Sequence, residues 1–200
     1  MPRRKKPSNE RRELAERLLK IRSFDRRHTK SGLWLADRSL ADYERVLSEE
    51  ITKHISDIIA RKGKAKILDI GCGTGRAIAE IGKMFRGKVK IIGLTARRLP
   101  EHKETERYVD RIKIASFELF ETNERFDLII SVFGGIYYSI AQLESLRKIA
   151  QLLAPQGIAI FNIDPKYMQE IKKAIENIEQ LGVEVILKPN GIIIMRRVRR

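Results

Sequence analysis

The sequence has a single cysteine, Cys72. That excludes an internal disulfide framework and fits a reducing compartment. Its three histidines, His28, His54 and His102, stand far apart with no cysteine or histidine neighbour at ligand spacing, so no structural metal site is expected. No apolar run approaches the roughly 20 residues that span a bilayer. The basic opening Met1-Pro2-Arg3-Arg4-Lys5-Lys6 is not followed by the apolar stretch of a secretory signal. There are no internal repeats and no low-complexity linker. These absences point to a soluble, cytoplasmic protein without membrane or metal partners, a monomer or dimer.

The 200 residues, 42% apolar, suffice for one domain with a real core. The net charge of +15 is concentrated at the ends. Residues 1–30 hold 12 Lys and Arg against 4 Asp and Glu, and residues 188–200 hold 5 basic residues and no acid. The 157 residues between carry only +2. Basic ends on a near-neutral middle suggest contact with a polyanion, most simply RNA through the N-terminal arm. A solubilising tail is the plainer alternative.

Residues 1–10 read as an arm, and Leu14, Leu18 and Ile21 form a short helical stripe. Ser39 and Asp42 make a capping box opening a helix whose stripe is Tyr43, Val46, Leu47, Ile51, Ile55, Ile58 and Ile59. After Lys64, strand and helix patterns alternate. Strands are expected at 66–70, 89–94, 111–115, 126–132 and 157–163, with helices at 74–85, from Ser139 to about Leu153, and from Asp164-Pro165 to about Leu181. The stretch 97–110 is polar and irregular. Two last strands, 183–187 and 192–198, flank Asn190-Gly191, a hairpin turn that forces them antiparallel. The chain therefore divides into a basic arm with a helical extension, residues 1–62, and an α/β core, residues 63–200. Alternation implies a doubly wound, parallel sheet. An antiparallel terminal hairpin is not how a dehydrogenase-type dinucleotide domain is expected to end.

Where the first strand meets its helix lies Asp69-Ile70-Gly71-Cys72-Gly73-Thr74-Gly75. A glycine turn between strand and helix lets backbone approach a ligand closely. A dinucleotide fingerprint, G-x-G-x-x-G, would need glycine at position 76, which is Arg76. The pattern is instead D-x-G-x-G-x-G.

This pattern resembles motif I of the class I, Rossmann-like S-adenosylmethionine-dependent methyltransferases. The resemblance spans roughly residues 64–198. Phe126-Asp127-Leu128-Ile129-Ile130-Ser131 is similar to the family's fourth strand, and Leu152-Leu153-Ala154-Pro155-Gln156-Gly157 to its L-x-P-G-G turn, with Gln156 in place of the first glycine. The resemblance implies a seven-stranded sheet in the order 3-2-1-4-5-7-6 with strand 7 antiparallel. It implies S-adenosylmethionine as cofactor, with Asp69 receiving the methionine amino group and Gly71, Cys72, Gly73 and Gly75 beneath the methionine and ribose. Thr95, followed by Ala96, occupies the place of the acid that grips the ribose. Ser116 and Phe117 flank the adenine by this likeness, Phe117 being equally suited to the core. Ser131, Val132 and Phe133 match the lip of the fourth strand, beside the reacting methyl.

The methyl acceptor leaves less trace. After the fourth strand the chain reads Ser131-Val132-Phe133-Gly134-Gly135-Ile136-Tyr137-Tyr138, without the N-P-P-Y tetrapeptide of amino methylation. No cysteine pair marks cytosine C5 methylation, and Ser131 stands where a ribose 2′-O methyltransferase has its aspartate. The candidates for acceptor chemistry are Tyr137 and Tyr138, which can stack on a base or orient a nucleophile, Asn162 at the end of the fifth strand, and His28 as a general base. Three functions are compatible with these residues: an RNA methyltransferase, acting on rRNA or tRNA; a methyltransferase for protein or small molecules; and a non-catalytic RNA-binding protein with this fold.

Overall fold

The computed structural model describes residues 37–139 and 141–198. The basic arm, the helical stripe at 14–21, His28 and the last two arginines lie outside them. The described order is α1 (Leu40–Leu47), α2 (Ile51–Lys62), β1 (Ala65–Ile70), α3 (Arg76–Met84), β2 (Val89–Thr95), α4 (His102–Thr105), β3 (Arg111–Ile114), β4 (Phe126–Ser131), α5 (Gln142–Leu152), β5 (Leu153–Asn162), a 3-10 turn (Pro165–Tyr167), α6 (Met168–Glu179), β6 (Val183–Leu187) and β7 (Ile192–Arg197).

The sheet order is β3-β2-β1-β4-β5-β7-β6. Strands β1 to β5 pair in parallel, and β7 is antiparallel to both β5 and β6. The hairpin expected at Asn190-Gly191 forms, with Gly191 at φ 78°. Each face of the sheet carries its own core. One gathers Phe117, Phe126, Phe161, Leu146 and Ile171 beneath α5 and α6. The other gathers Ile67, Ile78, Ile81, Ile130 and Ile160 beneath α1, α2 and α3.

Four local expectations change. The helix opened by Ser39 does form its capping box, with Ser39 Oγ accepting from Asp42 N–H and the Asp42 carboxylate accepting from Ser39 N–H. It is then broken in two at Ser48, which adopts the left-handed conformation at φ 50°. The Glu44 carboxylate meets the new helix start, accepting from Thr52 N–H and Oγ–H, so the break leaves the apolar stripe in register. Helix α5 begins at Gln142 rather than at Ser139, whose hydroxyl accepts from Ala141 N–H. Strand β5 starts at Leu153, directly after α5, and its pairing with β4 shifts register between Phe126 and Leu128. Gln156, in the place of a glycine in the related pattern, holds φ 61° there. In the expected irregular stretch 97–110 one helical turn forms, α4.

Candidate active site

In an open sheet of this winding, ligands lie outside the carboxyl ends of the strands, where neighbouring strands send their chains to opposite sides. Here that place is between β1 and β4. The two loops leaving it meet back to back. A Cβ added to Gly71 would lie 2.5 Å from Gly134 Cα and 2.8 Å from Gly135 N. Gly71 also has φ 92°, in the region that favours glycine.

Asp69, next to last in β1, is fully buried. Its Oδ2 accepts from the Tyr43 hydroxyl of α1 at 2.9 Å. Its Oδ1 is buried without a hydrogen-bond partner among the described residues. Burial pushes the carboxyl up to about 7, opposed by the Tyr43 hydrogen bond. Tyr43 itself is pushed well above its ordinary range, by burial and then by Asp69, so it remains the proton donor. A buried carboxylate oxygen without a partner is the acceptor that an ammonium group needs.

The glycine turn is braced from behind. Gly71 and Cys72 both donate N–H to Leu94 O, at 2.9 and 2.8 Å. His102, fully buried in α4, accepts from Leu99 N–H at Nδ1, so its Nε2 donates to Gly73 O at 2.8 Å. Thr105 Oγ donates to Thr74 O at 3.1 Å, and Thr74 Oγ to Asp37 at 2.8 Å. A Cβ on Gly75, at φ 85°, would collide with the Thr105 side chain. The irregular stretch 97–110 thus holds the outer carbonyls of the turn. His102→Ala would leave Leu99 N–H and Gly73 C=O without partners, a cost of about 2–4 kcal/mol. Urea unfolding should show it, and amide exchange at Gly75 should rise while exchange in β5 and β7 does not. Uniform loss of protection across the sheet would contradict a local brace.

The other expected cofactor residues fall as follows. Cys72 turns its side chain inward, under Gly93, and burial pushes its thiol well above the usual range. The Thr95 hydroxyl donates to Arg97 O at 3.3 Å within its own loop, and Ala96 is exposed beside it. Ser116 is half-buried, while Phe117 belongs to the core. Lys148 of α5 lies over the Phe117 ring and donates to Phe117 O and Glu118 O, at 2.7 and 3.1 Å, fixing the loop after β3. Ser131 Oγ donates to Ile70 O at 2.7 Å, tying the ends of β1 and β4 together.

On the β4 side, Asn162 is buried, and its Oδ1 accepts from Phe133 N–H at 2.7 Å. Phe133 has φ 43°, a strained choice for a bulky residue. Its ring meets Tyr137 edge to face at 5.0 Å, and Tyr137 meets Tyr138 likewise at 5.0 Å. The Arg38 guanidinium lies 5.3 Å from the Phe133 centroid. Tyr138 is pushed above the ordinary phenol range by burial and then by Tyr137, so it is a phenol at neutral pH and no general base. Asp164 caps the 3-10 turn, accepting from Lys166 N–H at 3.1 Å. Of the candidates, Tyr137, Tyr138 and Asn162 gather at this mouth, and His28 lies outside the described residues. No group of metal-ligating side chains and no helix long and apolar enough to cross a membrane occurs among the described residues.

Tyr43, His102 and Arg38 were not marked as site residues by the sequence, whereas Phe133 was, at the lip of the fourth strand. Tyr43 reads there as one more member of an apolar stripe. His102 reads only as a histidine without ligand neighbours.

Residues 67–157 match the family model of a methyltransferase domain. No curated protein matches the chain in sequence. Solved structures resemble it at low identity. A TehB-like SAM-dependent methyltransferase from Corynebacterium glutamicum is 18% identical, with a TM-score of 0.55 over 78% of this chain and 92% of that one. An amino pentose methyltransferase from Micromonospora echinaspora, solved with SAM, is 13% identical, with a TM-score of 0.54 over 84% of this chain and 96% of that one. The 1,6-didemethyltoxoflavin-N1-methyltransferase of Burkholderia thailandensis is 14% identical, with a TM-score of 0.52 over 99% and 93%. At these identities the likeness is one of fold.

Proposed function

We propose that this chain, whose residues 67–157 match a methyltransferase-domain family model, is a class I, Rossmann-like methyltransferase that moves the methyl group of S-adenosylmethionine onto RNA. The observation that carries the cofactor half is the buried Asp69 Oδ1 at the glycine turn, which has no partner among the described residues. Tyr43 occupies the other carboxylate oxygen and so aims the free one. An α-amino group fits there, and the Gly71–Gly75 backbone gives the closely approachable surface that the rest of the cofactor needs.

When bound, the cofactor supplies an activated methyl group, which passes to a nucleophile's lone pair as the carbon–sulfur bond breaks and its electrons stay on sulfur. The chain's own residues position and exclude. In-line alignment provides much of the acceleration, so a strong general base is not required. Thr95 replaces the carboxylate that would grip the ribose, which gives up a charge-assisted hydrogen bond. Cofactor binding then depends more heavily on Asp69.

The acceptor half rests on charge. Residues 1–30 carry +8 and residues 188–200 carry +5, against +2 in the rest. Replacing Arg3, Arg4, Lys5, Lys6, Arg11 and Arg12 with glutamine should weaken RNA binding and flatten its dependence on salt, since each lost phosphate contact reduces the slope. Titration of RNA at several salt concentrations measures both, and unchanged affinity would sink the RNA reading. A second reading, transfer to a small molecule, is favoured by the toxoflavin enzyme, which was solved with the ring compound 1,6-didemethyltoxoflavin bound. Incubation with tritiated S-adenosylmethionine and fractionated RNA, protein and metabolites decides between them. Label confined to metabolites or protein would reject RNA. Absence of any S-adenosylmethionine binding by calorimetry would reject both.

A further inference from the structure

The loop after β4 combines features that no part of the cofactor site uses. Phe133, Tyr137 and Tyr138 are all partly exposed, although they form a connected aromatic group. The rings meet at 73° and 76°, so they present walls at steep angles rather than one flat stack. Arg38 closes one side over Phe133. The backbone at Phe133 is held in the left-handed region, and the buried Asn162 carbonyl pins it there. Such strain is retained where surrounding structure enforces it, often at binding sites. Without it, the Phe133 ring would leave the group. The same loop continues into Gly134 and Gly135, which pack directly on Gly71. A ring held by these residues is therefore next to the glycine turn.

We propose that Phe133, Tyr137 and Tyr138, with Arg38 across Phe133, form the acceptor subsite and hold a single unstacked nucleobase of an RNA strand. This rests on the RNA reading above and deepens it. Aromatic faces hold bases of any sequence by stacking, and an arginine guanidinium adds a planar cationic face. Single-stranded RNA exposes its bases for such contact, whereas the grooves of a duplex do not. Asn162 is a positioning residue here. It acts through Phe133 and touches no base.

The test uses the full chain, saturated with S-adenosylhomocysteine, and a short single-stranded RNA carrying one 2-aminopurine. The wild type is expected to quench the 2-aminopurine fluorescence on binding. Phe133→Leu and Tyr137→Leu should each weaken binding on the order of tenfold and restore fluorescence. Tyr137→Phe should keep both affinity and quenching, because stacking needs the ring and not the hydroxyl. Calorimetry of S-adenosylhomocysteine binding confirms that each variant is folded. Quenching unchanged in the leucine variants, or lost equally in Tyr137→Phe, would overturn the subsite while leaving the RNA reading intact. Failure of the wild type to bind RNA would instead remove the RNA reading and the nucleobase together. Quenching of free 2-aminopurine riboside in that case would identify a small heterocycle as the occupant.

Discussion

Asp69→Asn is expected to bind S-adenosylmethionine at least tenfold more weakly than the wild type and yet to melt several degrees higher. The binding loss follows from removing a charge-assisted hydrogen bond to an ammonium, worth about 1.5–3 kcal/mol. The stability gain follows from burial. The Asp69 carboxyl is pushed from 3.8 up to about 7. Each unit corresponds to about 1.4 kcal/mol between the two protonation states, so ionised Asp69 burdens the fold by a few kcal/mol. Asparagine keeps the acceptor for Tyr43 and removes the charge.

The sign of the pH dependence provides an internal control. A carboxyl with a raised value in the folded state binds more protons folded than unfolded between pH about 4 and about 7. Its protonated form contributes stability that is fully present below about 4 and is lost as pH rises through about 7. The stability difference between Asp69→Asn and wild type should therefore be largest at pH 8, clearly smaller at pH 5, and vanish only below about pH 4. Cofactor affinity should run the other way, rising about tenfold per unit up to pH 7 as the carboxylate forms. It should fall again above about 8, where an α-amino group loses its proton. Calorimetry across that range in two buffers would show proton uptake by the buffer near pH 6. A flat profile would mean that Asp69 does not meet the ammonium.

Gly71→Ala should be among the most damaging single-methyl changes in the chain, costing about 3 kcal/mol or more. Two penalties add. A Cβ at φ 92° is strained by about 1–2 kcal/mol. It would also be driven against Gly134 Cα at 2.5 Å and Gly135 N at 2.8 Å, both backbone, which cannot rotate away as a side chain can. Overpacking of this kind costs a further 1–3 kcal/mol or so. Gly87 separates the two. It has φ 77° and nothing within 4 Å of an added Cβ, so Gly87→Ala should lose only about 1 kcal/mol. Equal shifts of the urea midpoint in the two variants would contradict the close approach of the β1 and β4 loops. Cofactor binding should fall in Gly71→Ala alone.

Much of the fold was legible in the sequence because it is written in local periodicity. The alternation after Lys64, the Ser39 capping box, the Asp164-Pro165 start and the Asn190-Gly191 hairpin all depend on residues within a few positions of one another. Boundaries failed where a side chain or a neighbouring strand, rather than the periodic pattern, sets the backbone. Ser48 is left-handed with the Glu44 carboxylate ready to restart the helix, and Gln156 takes a glycine's conformation at a register shift against β4. Asp69 and the glycine spacing were legible for the same local reason. Their supports were not, since a tyrosine in an apolar stripe and a lone histidine carry no mark of what their polar atoms will meet.

By itself, then, the sequence determined the strand and helix order, the antiparallel ending and the glycine turn. Spacing alone encodes these, through the periods of strand and helix and through the conformational freedom of glycine. The tertiary structure decided the chemistry of the turn. Tyr43 meets Asp69 across 26 residues and His102 meets Gly73 across 29. Asn162, at the end of β5, reaches Phe133, just past the end of the neighbouring β4, across 29 residues. Burial then raised one carboxyl and left one of its oxygens open. Desolvation and the geometry of a hydrogen bond depend on which side chains converge in space, and convergence over such separations has no period that a sequence can display.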